Sequence, residues 1–193
     1  DVAPAFPFGF GLSYTSFAYS DLKATSDSVT LTVTNTGSCD GAEIVQIYVA
    51  KPDAKVFRPV QELKGFEKVK LAAGESKCVA IPLDDKAFRY WNTMTNAWEI
   101  EGGHYEIRVG ASCEDIRLTA TVEVAGTGAP NPYAGISLPH YESGKVMNVP
   151  DAEWEVLLDR PIPDDTVKID CNMTLGELKH SRSPLCWLVW LVL

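Results

Sequence analysis

Residues 28–37 read SVTLTVTNTG. Val29, Leu31 and Val33 take every second place, and threonine fills the places between. Side chains on a strand point alternately to opposite faces, so the pattern predicts a half-buried β-strand with one apolar face. Valine and threonine also suit a pleated backbone better than a helix. Asn35-Thr36-Gly37 then turns the chain, because Asn and Gly tolerate the backbone angles of a tight turn.

The same alternation recurs downstream. In EIVQIYVA (43–50), Val45, Ile47 and Val49 share one face, and Ile44, Gln46 and Tyr48 the other. ELKGFEKVKL (62–71) follows a proline-containing loop that starts at Lys51, and Ala72-Ala73-Gly74-Glu75 is a turn. CVAIPL (78–83) puts Val79, Ile81 and Leu83 on one face; Pro82, which has no N–H, marks an edge strand or a strand end. Trp98 alternates with Ile100 after a turn near Asn96, Tyr105 with Ile107 and Val109, and Ile116 with Leu118, Ala120, Val122 and Val124. These are about seven short strands with turn signals between them and no helical period, which predicts an all-β, antiparallel two-sheet sandwich over residues 21–126. The absence of β-helix-β alternation argues against a parallel nucleotide-binding sheet.

Two unlike segments flank this region. Residues 1–20 form a Gly/Pro-broken lead-in with a dense aromatic series, including Phe6, Phe8, Phe10, Leu12 and Tyr14. Such a series either packs on another domain or associates nonspecifically. Asp1-Val2-Ala3-Pro4 lacks an initiator Met and a signal-peptide pattern and reads as a chain entered mid-protein. Residues 127–193 read as a linker and a partly helical tail. Gly126, Gly128, Pro130, Pro132 and Pro139 break regular structure. Trp154, Leu157 and Leu158 then share one face of a short helix near 151–158. Thr174 and Glu177 have capping-box spacing, which starts a second helix running to about Ser181. The final CWLVWLVL is far shorter than the roughly twenty residues a membrane-spanning helix needs. It reads as a buried helix end or, the favoured reading, as a truncated or frame-shifted reading frame.

The 193 residues are 46% hydrophobic and 22% charged, an ordinary soluble balance. The net charge of −9 and pI near 4.8 argue against a nucleic-acid partner, which needs a Lys/Arg surface, and against docking on an anionic membrane. The five cysteines form no C-x-x-C. They read as buried and reduced, which suits a bacterial cytoplasm, with a secreted or periplasmic location and a Cys39–Cys113 disulfide left open.

Chemistry-bearing constellations are sparse. His104, His140 and His180 have no metal-ligand spacing, and no metal or cofactor is expected. There is no G-x-S-x-G, and Ser13 reads as structural. Asp84-Asp85, Glu114-Asp115 and Asp164-Asp165 are adjacent acids in turns or linkers. A glycosidase pair instead flanks a bond across a cleft. No catalytic residue is assigned. Tyr90, Trp91 and Trp98 offer a sugar-stacking platform, but the usual burial of aromatics favours the core for the group, and the alternation with Ile100 favours it for Trp98 in particular, with Trp91 fitting either. Asn172-Met173-Thr174 matches the N-glycosylation pattern, which matters only in a secreted eukaryotic chain.

Three stretches carry a family resemblance. PFGFGLSYTSFAY (7–19), RPVQELKGFEKVKLAAGESKCVAIPL (58–83) and GGHYEIRVG (102–110) occur in the order found in the C-terminal domain of family 3 glycoside hydrolases, the β-glucosidase group. WEVLLDRPIP (154–163) and TLGELK (174–179) resemble the tail that follows it in some bacterial members. The resemblance implies an immunoglobulin/fibronectin type III-like sandwich. It also implies that the catalytic Asp and Glu lie in upstream domains, so neither corresponds to a residue here. The chain is then expected to be a non-catalytic accessory domain whose partners are those catalytic domains, with a β-linked glucoside or oligosaccharide bound by the intact enzyme. Phe6, Phe8, Phe10, Leu12 and Tyr14 are the expected interdomain contacts. Arg58 and Gln61, on the Lys51–Gln61 loop, are candidates for the rim of the sugar cleft; the competing reading is a structural loop whose Arg58 pairs with nearby acids. An independent carbohydrate-binding sandwich and an Ig-like interaction module are the alternative functions.

Overall fold

A computed structural model describes residues 4–163, 171–172, 174–181 and 183–192. These fall into two compact units, 1–135 and 136–193.

The first unit is a sandwich. Its strands are β1 (Phe17–Ala24), β2 (Ser28–Asn35), β3 (Gly41–Ala50), β4 (Glu62–Leu71), β5 (Ser76–Pro82), β6 (Arg89–Asn92), β7 (Ala97–Ile100), β8 (Gly103–Gly110) and β9 (Ile116–Val124). One sheet has the order β1-β2-β5 and the other β4-β3-β8-β9, while β6 and β7 form a separate hairpin. Neighbouring strands are antiparallel throughout.

The period-two pattern sets which faces meet. Val29, Leu31 and Val33 of β2 and Val79 and Ile81 of β5 face Val45, Ile47 and Val49 of β3 and Tyr105, Ile107 and Val109 of β8 in one buried cluster. Each such fully buried aliphatic side chain contributes about 1.5–3 kcal/mol of transfer free energy. Pro82 closes the edge strand β5, opposite Ser28, where its missing N–H removes no interior ladder bond.

Three features depart from the period-two expectation. β1 begins at Phe17, inside the stretch read as lead-in, and its register shifts between Ser20 and Lys23, where Asp21 has φ 56°. Strand β3 is buried on both faces over its second half, because Gln46, Tyr48 and Ala50 are covered as well as Val45, Ile47 and Val49. Trp98 does not enter the core. The β6–β7 hairpin belongs to neither sheet, so of the two residues on that face of β7 Ile100, at the strand end, packs on the cluster, and Trp98 lies beyond its reach.

The second unit contains α1 (Pro139–Ser143), α2 (Asp151–Leu158) and α3 (Pro184–Val192). Helix α1 lies in the stretch read as linker; Gly144 ends it in the left-handed conformation, where a residue without a Cβ is unstrained. His140 Nδ1 meets Glu153 Oε1 at 2.5 Å, joining α1 to α2. Leu175–His180 is a 3-10 helix, with Glu177 accepting from the Thr174 N–H at 2.7 Å, the reach-back half of the capping box. The apolar C-terminal run is helical as far as Val192, but Trp187, Leu188 and Leu191 are exposed rather than buried. No helix among the described residues is long and apolar enough to cross a membrane.

Candidate functional site

The lead-in is fixed along its backbone and free along its side chains. The Cys113 N–H donates to Phe8 O at 3.0 Å, and the Phe10 N–H donates to Pro7 O at 3.0 Å. Gly9 has φ +86° and lies against the Gln46 side-chain amide, where any Cβ would collide. Further along, the Thr15 hydroxyl donates to Asn35 Oδ1 at 2.6 Å, the Thr36 N–H to Ser16 O at 2.8 Å, and the Cys39 thiol to Tyr14 O at 3.3 Å. The segment is therefore stitched to the β2–β3 turn, to β3 and to the β8–β9 loop. Gln46 itself is held at both its amide nitrogen and oxygen: it donates to Ala111 O and accepts from the Tyr48 hydroxyl, each at 2.5 Å.

The side chains on this fixed backbone face water. Phe6 is 73% exposed and Leu12 93%; Phe8, Phe10 and Tyr14 are exposed too. Phe6 and Phe10 touch, with ring centroids 5.3 Å apart. Phe8, Phe10 and Leu12, together with Ile44 and Phe66, border a groove of about 840 Å³ between the lead-in and the outer face of β3 and β4.

The floor of the groove is polar. Arg117 Nη2 lies 2.7 Å from Asp115 Oδ2, its Nη1 donates to Phe17 O at 3.1 Å and stands 3.7 Å from Glu43, and its guanidinium sits over the Tyr19 ring at 4.6 Å. The hydrogen bond from Arg117 holds the Asp115 carboxyl below the usual range. Burial pushes the Glu43 carboxyl up, against the opposing effects of the Ile44 N–H and Arg117. It pushes the Tyr19 hydroxyl up as well. A raised carboxyl favours the protonated folded state, so Glu43 reduces stability as pH rises from the unfolded value near 4.5 through its folded value. Glu43→Gln keeps an acceptor for the Ile44 N–H and removes that penalty. The variant is expected to be more stable than the parent at pH 7, with the gap narrowing toward pH 4, as read from urea unfolding at several pH values.

The two loop candidates point to different places. Arg58 turns inward, with a side chain 8% exposed. Its Nη2 donates to Phe88 O at 2.9 Å, its Nε faces Glu101 Oε2 at 3.8 Å, and its guanidinium lies over Tyr90 and Tyr105 at 5.2 and 5.8 Å. Lys51 lies over Tyr105 as well, at 4.9 Å. Burial pushes the Tyr105 hydroxyl up to about 12, and that hydroxyl donates to Glu101 O at 2.7 Å. Gln61 instead donates to Cys113 O at 2.7 Å and accepts from Arg108 at 3.1 Å, beside the lead-in anchor.

The remaining candidates take local roles. Asp84 accepts from the Lys86 N–H, Asp85 pairs with Arg89 at 3.4 Å and Asp115 with Arg117, so these acids serve turns and ion pairs. Asp164 and Asp165 lie outside the described residues, as does Met173 of the N-x-T pattern. Ser13 accepts from the Thr15 N–H. His104 pairs with Glu123, and no cluster of three metal-ligating side chains occurs among the described residues. Cys39, Cys78, Cys113, Cys171 and Cys186 are free thiols; Cys39, Cys78 and Cys171 are exposed, because Cys78, for one, falls on the outward face of β5 between the buried places. Trp91 and Trp98 are half-exposed, at 46% and 55%. They stand edge to face, with centroids 5.5 Å apart and planes at 78°, so they make a corner and not a flat platform. Sequence reasoning did not reach the Glu43–Arg117–Asp115 group, because Glu43 on β3 is more than seventy residues from Asp115 and Arg117 at the start of β9.

Comparison with known proteins agrees with this architecture. The model of the fibronectin type III-like domain matches residues 43–113. The chain is 50% identical over 131 residues to the exo-α-(1→6)-L-arabinopyranosidase of Bifidobacterium breve, covering 65% of this chain and 17% of that protein. It is 47% identical over 134 residues to thermostable β-glucosidase B of Acetivibrio thermocellus, covering 65% of this chain and 18% of that protein. The crystal structure of the Bifidobacterium adolescentis GH3 β-glucosidase superposes with a TM-score of 0.62 at 35% identity, covering 97% of this chain and 23% of that one. The chain thus spans less than a fifth of the length of these two curated relatives.

Proposed function

Because the chain carries the fibronectin type III-like domain of family 3 glycoside hydrolases, we propose that it is the non-catalytic accessory part of a β-glucosidase-like glycosidase and acts by packing against the catalytic domains. The observation that carries this reading is the lead-in: a backbone hydrogen-bonded at both ends of the segment, holding Phe6, Phe8, Phe10, Leu12 and Tyr14 outward. An apolar series that is ordered before it meets anything loses little entropy on docking. Burial of each Phe ring contributes about 1.5–3 kcal/mol of transfer free energy. Hydrolysis of a β-linked glucoside or oligosaccharide then belongs to the intact enzyme, in carbohydrate metabolism, with the reacting carboxylates upstream. Arg58 and Gln61 serve the site by holding the Lys51–Gln61 loop, through the bonds to Phe88, Arg108 and Cys113.

The test mixes the purified chain with the catalytic portion of a related β-glucosidase that lacks its own domain. Aryl β-glucoside hydrolysis and binding are measured with and without the chain. The chain alone is expected to give no turnover, and the mixture to show binding with a rise in activity or heat resistance. Phe10→Ser is expected to weaken that binding about tenfold or more, in line with loss of a buried aromatic anchor. Turnover by the chain alone, or equal binding by the variant, would overturn the reading.

A further inference from the structure

We propose that the β6–β7 hairpin is a second, non-catalytic site that binds a soluble β-linked gluco-oligosaccharide in the corner formed by Trp91 and Trp98. The two residues are direct cross-strand partners. Both rings stay half-exposed although the hairpin beneath them is locked. The lock is Asn92, whose side chain is wholly buried: it donates to Pro130 O at 2.8 Å and to the Tyr90 hydroxyl at 3.2 Å, and accepts from the Met94 N–H at 2.9 Å and the Thr95 N–H at 3.4 Å. Rigid aromatic groups lose little freedom on binding and make good ligand anchors.

The geometry selects the ligand. A pyranose offers an apolar C–H face for a ring and a rim of hydroxyls that need donors and acceptors. Arg89 shares the indole face of the hairpin, with its guanidinium 4.7 Å over one side of Trp98, and supplies N–H donors at the edge of the corner. Rings at 78° hold one sugar unit against one face and its neighbour against the other ring, which suits a single free chain and not a flat crystalline surface. A protein-docking patch has a core depleted in charge; the Phe6–Tyr14 series has that character and the hairpin does not. The choice of β-linked glucose units rests on the function proposed above.

The experiment titrates the whole chain with cellotetraose and, in parallel, with maltotetraose. It follows the indole N–H resonances of Trp91 and Trp98, assigned with W91F and W98F. Cellotetraose is expected to move these two signals with a Kd in the roughly millimolar range. Trp98→Ala is expected to weaken binding about tenfold or more, and Trp98→Phe much less, with the remaining amide spectrum unchanged. The absence of any shift at these indoles up to ~20 mM cellotetraose would overturn the site. Equal shifts with maltotetraose would overturn the β-linked assignment. If Trp98→Ala does not fold, the parent titration and Trp98→Phe still decide. Because no catalytic portion of another enzyme is added in this experiment, its failure is separable from failure of the packing test.

Discussion

Arg58→Ala is expected to lower the unfolding free energy of the chain by about 3–5 kcal/mol, the usual cost of breaking a buried ion pair by removing one partner. Three losses coincide. Phe88 O loses the 2.9 Å donor from Nη2, the Glu101 carboxylate keeps only the Lys55 N–H at 2.7 Å, and the Tyr90 and Tyr105 rings lose the cation stacked on them. Urea denaturation measures the change. Arg58→Lys keeps the charge without the planar fork and should fall between the two. Arg58→Met with Glu101→Gln should recover more than half of the loss, because no charge is then left buried alone. No ligand enters this measurement, so a stability loss here reports loop anchoring. An Arg58→Ala variant as stable as the parent would remove the anchoring role and return the residue to the rim reading.

Asn35→Ala is expected to cost about 3 kcal/mol, from several buried groups left without partners. The amide is wholly buried and uses every group it has. It donates to Cys39 O at 2.9 Å and Leu71 O at 3.2 Å, and accepts from the Thr15 hydroxyl at 2.6 Å and the Gly37 N–H at 3.1 Å. One side chain therefore closes the β2–β3 turn, joins it to the end of β4 and ties down the lead-in. Asn35→Asp should fare no better at pH 7, since it loses both donations and buries a charge. It should improve as pH falls and the carboxyl protonates. Thermal unfolding across pH 4–8 checks both variants; unfolding midpoints equal to the parent would mean that the turn holds without this amide.

The sandwich was legible wherever one face is buried and the other wet. β2 and β8 show this: Val29-Leu31-Val33 and Tyr105-Ile107-Val109 lie where period two puts them. Alternation fails where a strand leaves that regime. Trp98 looked like core because it shares a face with Ile100, but a two-stranded hairpin beside the sandwich buries only the residue that reaches the cluster. The outer face of β3 reads as half-polar, yet Gln46 and Tyr48 are buried because a distant segment covers them. The site followed the same rule. The aromatic series was visible in the composition of residues 6–14, and its side chains are exposed. Its anchoring was not visible, since it depends on Asn35, Gln46 and Cys113, which are far from it in sequence. Arg58 was legible as a charged residue in a polar loop; its nest between Phe88 and Glu101 needed three connecting segments, distant in sequence, brought together.

The stitching of the lead-in has a mechanical consequence. A segment secured at both Phe8 and Thr15 cannot act as a swivel. Whatever grips the Phe6–Tyr14 rings is gripped in return at a fixed bearing, and any displacement passes without slack into the ends of β2 and β3. The heading of any docked body relative to the sandwich would then be set by a handful of hydrogen bonds, those at Phe8, Thr15 and Ser16.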